Sequence, residues 1–194
     1  MRAAAGEAYT IRRQIFRLFG AGFHVYGADG NLVAFCKQKA FRLREDFRLY
    51  TDSSQKEEFL TVAARQVIDF SAAYDVKLPS GEKIGSLKRK GFKSTFYKDT
   101  WSICDEQDAE IGTLEEQGSV LPVVRRVVDA VSFFFPQTYV LTNDRGEMVG
   151  RYRQHFNPFI FRFGVTLTGS DERFDDLLVL AIGTVVAAIE GRQD

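Results

Sequence analysis

Four stretches of this chain superimpose without a gap: FHVYGADGNLVA from Phe23, YDVKLPSGEKIG from Tyr74, WSICDEQDAEIG from Trp101 and YVLTNDRGEMVG from Tyr139. Each opens on an aromatic residue and places an apolar one two positions on (Val25, Val76, Ile103, Leu141). Seven positions on stands a turn former (Gly30, Gly81, Asp108, Gly146), and later a β-branched residue (Val33, Ile84, Ile111, Val149) followed by a small one (Ala34, Gly85, Gly112, Gly150). Apolar residues two apart suit a half-buried strand. The Asp/Asn/Gly/Pro-rich middle supplies the positive φ and side-chain-to-backbone bonds of a tight turn. The repeating unit is strand, turn, strand. A looser fifth copy is expected over Asp46–Gln66, where Phe47 and Leu49 precede the polar loop Thr51–Glu58 and Leu60 and Val62 follow it.

Five hairpins give ten strands, and Tyr9–Phe19 and Phe159–Thr168 alternate as two more. So many short antiparallel strands must dispose of their edges, which a closed barrel or a sandwich does. The C-terminal segment decides between them. Ser170 is placed to cap a helix, Asp171, Glu172, Asp175 and Asp176 supply the negative charge a helix N-terminus prefers, and Gly191 suits its end. The body between, Leu177–Ile189, is apolar on every side and must be buried. A barrel of twelve strands is too wide for its own side chains to fill, so a helix along its axis solves both problems. The expected fold class is therefore mainly β: one domain over residues 1–194, a closed antiparallel barrel of about twelve strands around a central hydrophobic helix at 171–190, with residues 1–8 disordered. Ala34, Gly85, Gly112 and Gly150 are expected where strands pass close to that helix. A further helix is expected between the last two hairpins, with Ser119 as N-cap, Pro122 early, and Val124, Val127, Val128 and Val131 on one face. It would serve as a lid on the barrel, or as an interfacial element pressing Phe133–Phe135 into lipid.

The apolar run of thirteen residues is shorter than the roughly twenty needed to cross a bilayer. No signal-peptide core follows the Ala-rich start, and two cysteines are too few for a disulfide framework, which points to the cytoplasm. Twenty-six Lys and Arg balance twenty-six Asp and Glu, so no global field for gripping nucleic acid exists and a charged partner must be met locally. No nucleophile elbow, phosphate loop, H-E-x-x-H or CxxC occurs, and no enzyme, cofactor or metal site is expected. Gly20-Ala21-Gly22 reads as a bend, His24 as a solvated strand residue, His155 as lacking ligand-like spacing, and Cys36 as a small core residue. Asp69 and Asp75 are candidates to pair with Arg65.

Charge is distributed more tellingly. Lys83, Lys88, Arg89, Lys90, Lys93 and Lys98 crowd one stretch, and Asp99, Asp105, Glu106, Asp108, Glu110, Glu115 and Glu116 the next. Two readings compete: cross-strand ion pairs between neighbouring hairpins, or a basic patch for phosphate headgroups. Lys37, Lys39, Arg42 and Arg44 form a second basic stretch that would converge with the first. Strand alternation puts Lys88 and Lys90 on one face and Arg89 on the other.

The segments Phe19–Asp46, Ile68–Val76, Gly81–Ser94, His155–Phe159 and Ala188–Gln193 carry a resemblance. Across nearly its whole length the chain resembles the tubby C-terminal-like superfamily, and most closely the bacterial relatives of the LURP-one-related and phospholipid scramblase proteins. The resemblance implies a twelve-stranded barrel around a C-terminal helix. It also implies a link to phosphoinositides or to calcium-dependent lipid movement. The chain departs from animal scramblases in lacking their proline-rich extension and acylated cysteine cluster, and Asp171–Asp176 lacks EF-hand spacing. The functional expectation is a non-enzymatic, monomeric module, cytoplasmic or peripheral to the membrane, that binds anionic phospholipid headgroups. Its candidate contacts are Lys88, Arg89, Lys90, Lys93, Lys37 and Lys39. The alternative is a protein-interaction or scaffold module using the charged hairpins and the Val/Phe-rich helix.

Burying the apolar side chains of Leu177–Ile189 contributes on the order of 20 kcal/mol gross, more than the whole net stability of an ordinary domain. Deleting residues 177–194 is therefore expected to yield a product with no cooperative thermal transition, measured by circular dichroism. A truncated chain that still melts cooperatively would remove the helix from the core.

Overall fold

A computed structural model of the chain describes residues 6–16, 20–38, 46–68, 71–90, 100–117, 137–155 and 161–190. Twelve strands follow in order: β1 Tyr9–Phe16, β2 Gly20–Gly27, β3 Leu32–Gln38, β4 Phe47–Tyr50, β5 Glu58–Ile68, β6 Ser71–Lys77, β7 Lys83–Arg89, β8 Thr100–Cys104, β9 Glu110–Gln117, β10 Thr138–Asn143, β11 Met148–His155 and β12 Arg162–Leu167. Each pairs antiparallel with the next, and β12 pairs with β1 through Tyr9–Val165 and Arg12–Arg162, closing the barrel. The helix α1, Asp176–Glu190, completes the described elements.

The repeat is visible as one recurring turn. Gly30, Gly81, Asp108 and Gly146 all take left-handed φ, between 69° and 89°. Each N–H donates to the carbonyl three residues back: Gly27, Leu78, Asp105 and Asn143. The side chains of Asp29, Ser80, Asp105 and Asn143 accept backbone N–H bonds within the same loops, which is why those residue types recur there. The fifth hairpin repeats the geometry with Gln55 at φ 58°. All five carry a register shift at the equivalent place, after Val25, Leu49, Val76, Ile103 and Leu141. A bulge there sharpens strand twist and helps the sheet curl shut.

Alternation sends Val25, Leu60, Val76, Leu87, Ile103, Leu114, Leu141 and Tyr152 inward, each fully buried. Leu178 to Ala188 of α1 are buried too, the exposure of their apolar side chains nowhere exceeding 5%. Tyr152 carries the polar link between wall and helix, donating its hydroxyl to the Val179 carbonyl at 3.1 Å. Burial pushes that phenol far above its ordinary range.

The helix begins later than the sequence indicates. Asp175 is the cap, its Oδ1 accepting the Leu178 N–H at 2.8 Å, whereas Ser170 is exposed and lies before the turn at 171–175. That turn brings Phe174 into the barrel mouth, where it packs over Gly112. Residues 6–8 are ordered rather than loose: Glu7 is buried and Ala8 N–H bonds Val165 O at 2.8 Å. Of the small residues closing the repeats, Gly85 faces Leu178 and Gly112 faces Phe174, but Gly150 is crowded by Thr166 and Leu167 of the neighbouring strand instead. The expected helix from Ser119 to Val131, with Phe133–Phe135, lies outside the described residues, as do Lys39, Arg42, Arg44, Asp69, Lys93 and Lys98.

The tightest approach of wall to plug is at Gly183, where an added Cβ would come 2.7 Å from Ile11 Cδ1 and 3.3 Å from Tyr152 Cε1. Gly183→Ala gains about 1 kcal/mol of helix propensity but overpacks by about 1–3 kcal/mol, so it is expected to lower the urea midpoint. Ile11→Val deletes the clashing methyl. The double variant is expected to show favourable coupling on the order of 1 kcal/mol in a double-mutant cycle.

Candidate anion-binding surface

With a helix filling its axis, the barrel presents its outer wall and its ends as working surface. Cys36 is fully buried and burial pushes its thiol up to about 12, which makes it a packing residue and not a nucleophile. His24 is outward but half-buried, packed between the rings of Tyr26 and Phe35 at 6.3 and 4.9 Å, and burial and then the Arg12 charge lower its pKa. Among the described residues no His/Cys/Asp/Glu group has a metal-holding arrangement.

The basic hairpin β6–β7 is held by carboxylates. Asp75 projects outward from β6 beside Arg65, which bonds it through Nε at 3.1 Å and also through a terminal nitrogen. Asp108, in the β8–β9 turn, accepts from Ser86 Oγ at 2.7 Å, Arg65 at 3.1 Å, Lys83 at 3.0 Å and Lys88 at 3.1 Å. Lys90 pairs with Glu110 at 3.1 Å. The hydrogen bond from Arg65, followed by those from Ser86 and Lys83, holds the Asp108 carboxyl well below the usual carboxylate range. This explains an aspartate where the other repeats spend a glycine: the side chain ties two strands, β5 and β7, to a turn. The structure thus joins Lys83, Lys88 and Lys90 to the acidic hairpin. Arg89 points the other way and lies over the Trp101 ring at 5.8 Å.

Lys37 is exposed on β3, three strands away around the barrel from β6. Sequence reasoning passed over Arg151 and Arg153, which are exposed on β11. They stand alone in the sequence, two apart, with no basic run around them. The available signal was the alternation itself, which puts both on the outer face. Beside them Glu7 sits over Gly164, where it accepts from Thr10 Oγ1 at 2.8 Å, from Arg162 at 3.3 Å and from His155 Nε2.

A further ionic cluster closes the mouth where α1 enters. Arg173 bonds Asp144 bidentately at 2.7 and 2.8 Å and Asp171 at 2.7 and 3.0 Å, and Asn143 donates to Asp171 at 3.0 Å. A shallow hollow of about 390 Å³ beside it is lined by Asp144, Arg145, Ser170, Asp171, Glu172 and Arg173. Arg145 and Arg173 both bond Asp171 and Arg173 also bonds Asp144, so the cluster works as a clamp on the 168–175 turn.

The model of the LURP-one-related family matches residues 7–186. The chain belongs to the LURP-one-related family. The match runs from the buried Glu7 into the helix that plugs the barrel, so it takes in every described strand of this LURP-one-related chain. No curated protein matches it. Among solved structures, an Arabidopsis thaliana protein is similar at 17% identity and a TM-score of 0.47, over 93% of both chains. No helix among the described residues is long and apolar enough to cross a membrane.

Asp108→Asn keeps a residue that tolerates left-handed backbone while removing the charge that gathers Arg65, Lys83 and Lys88. A depressed folded pKa contributes stability above the unfolded value near 4 and loses it as pH falls below that value. With Asp108 about a third exposed, the loss in the variant at pH 7 is expected to be about 1 kcal/mol or less. The gap between wild type and variant in urea midpoint is expected to close as pH is lowered from about 5 to about 2. A gap that widens on acidification would exclude the ionised Asp108 as its cause.

Proposed function

We propose that this LURP-one-related chain is a non-enzymatic module that binds anionic phospholipid headgroups reversibly at a membrane surface. One observation carries the reading. Lys37, Arg151 and Arg153 are exposed on the outside of a filled barrel with no ion pair among the described residues, while the lysines of the basic hairpin are engaged by Asp108 and Glu110. Cations left without partners in a chain of zero net charge are surface reserved for an external anion. Each adds about 1 kcal/mol near an anionic leaflet, enough together for binding that is selective and reversible. The filled interior favours surface contact over enclosure of a lipid tail.

The wild-type chain is expected to co-sediment with vesicles containing about 30% phosphatidylserine and not with phosphatidylcholine alone. Raising salt from about 0.1 M to about 1 M shortens the screening length from about 10 Å to about 3 Å and is expected to release it. Equal, negligible sedimentation with both vesicles at low salt would overturn the proposal.

A further inference from the structure

Barrel closure joins two acid-free stretches of strand from opposite ends of the sequence, β1–β3 and β11–β12. Taken in spatial order, β11, β12, β1, β2 and β3 are contiguous. Within them stand Arg151, Arg153, Arg162, Arg12, Arg13 and Lys37 and both histidines of the chain, and not one Asp or Glu. Elsewhere Asp75 and Lys77 share β6 and Glu58 and Arg65 share β5, and the all-basic β7 stands two strands from the all-acidic β9. A chain with no net charge has therefore placed a one-signed arc on part of its wall, about 20 Å across at the usual strand spacing.

Register sets cationic and protonatable side chains face to face within the arc. Arg12 lies directly opposite Arg162 on one side and His24 on the other, and Arg162 lies opposite His155. Four strands thus present cationic or protonatable side chains in one cross-strand row. Like charges directly opposite one another destabilise a sheet; on β6–β7 Lys77 likewise lies opposite Lys83, but Asp75 stands 3.9 Å from both and Asp108 3.0 Å from Lys83. Among the described residues Glu7 enters the arc from outside the strands, seated in the hollow that Gly164 leaves, where any Cβ would collide with its carboxylate. It takes up Arg162 and His155 and so holds the middle of the row in place. Arg153, opposite Gly164, and Arg151, opposite Thr166, lie one strand to the side with no ion pair among the described residues, and Lys37 marks the far flank.

Building on the headgroup reading, we infer that the lipid-facing surface is this arc, β11–β12–β1–β2–β3, with Arg151 and Arg153 as its principal contacts, and not the lysine-rich β6–β7 hairpin. A phospholipid surface fits the arc better than nucleic acid does. The wall is convex and tangential contact suits a plane, while duplex grooves are read by an inserted helix or two-stranded ribbon. The described residues also leave two large hydrophobic side chains exposed, Val33 and Met148, and these lie on β3 and β11 of the same arc.

The test compares Arg151→Ala/Arg153→Ala with Lys88→Ala/Lys90→Ala, both checked for unchanged melting, on vesicles with about 30% phosphatidylserine at low salt. At about fivefold per cation (about 1 kcal/mol), the arginine pair is expected to lose at least about tenfold in partitioning. The lysine pair is expected to stay within about twofold of wild type. The opposite ranking, or equal losses, would overturn the arc while leaving the headgroup reading in place. A wild type that ignores anionic vesicles would overturn both. Binding by the arginines to a single-stranded oligonucleotide but not to vesicles would overturn the arc as a membrane surface.

Discussion

Everything in this molecule follows from the need to fill a barrel that twelve strands make too wide. Short hairpins close on themselves and so lose their edges, but closure leaves an axial space that strand side chains alone do not occupy. The helix Asp176–Glu190 occupies it, and that sheath buries the apolar side chains from Leu178 to Ala188. The fit is close enough that Gly183 is set against Ile11 and Tyr152, and Gly85 against Leu178. Wall and plug are mutually dependent: neither buries its apolar face without the other.

A filled interior moves function to the surface, where the charges divide into two kinds. On β5 to β9 Arg65, Lys83, Lys88 and Lys90 are gathered by Asp75, Asp108 and Glu110, which ties strands to a turn. Such partly exposed pairs contribute modestly to stability, and their cations are already occupied. Across the β12–β1 closure Arg12 and Arg162 lie opposite one another, and Glu7 takes up Arg162. The first arrangement lowers the energy of the fold by itself. The second includes Arg151 and Arg153, which have no ion pair among the described residues and are the contacts proposed for headgroups.

Much of the architecture was legible in the sequence because it rests on local rules. Four aligned segments gave the hairpins, since a left-handed residue at Gly30, Gly81, Asp108 and Gly146 is a requirement of the turn itself. The plug was legible because an all-round apolar helix has few places to go. Its start was not: Ser170 and Asp175 are both competent caps, and the choice fell to Asp175 because Phe174 is drawn into the mouth over Gly112. Reading Lys88 and Lys90 as a headgroup patch or as ion pairs was left open by spacing alone. The structure sets Asp108 among Arg65, Lys83 and Lys88, a convergence from β5, β7 and the β8–β9 turn that no linear window contains.

By itself the sequence determined the repeating hairpin, the strand count and the helix that must be hidden, because backbone conformation and apolar periodicity act over a few residues at a time. Only the tertiary structure decided which charges meet. Closing β12 onto β1 carries Arg162 and Arg153 from one end of the chain to the side of Arg12 and His24 from the other. Electrostatic neighbourhood depends on distance through space, and some 150 residues of intervening chain vanish when a sheet bends round to pair with its own beginning.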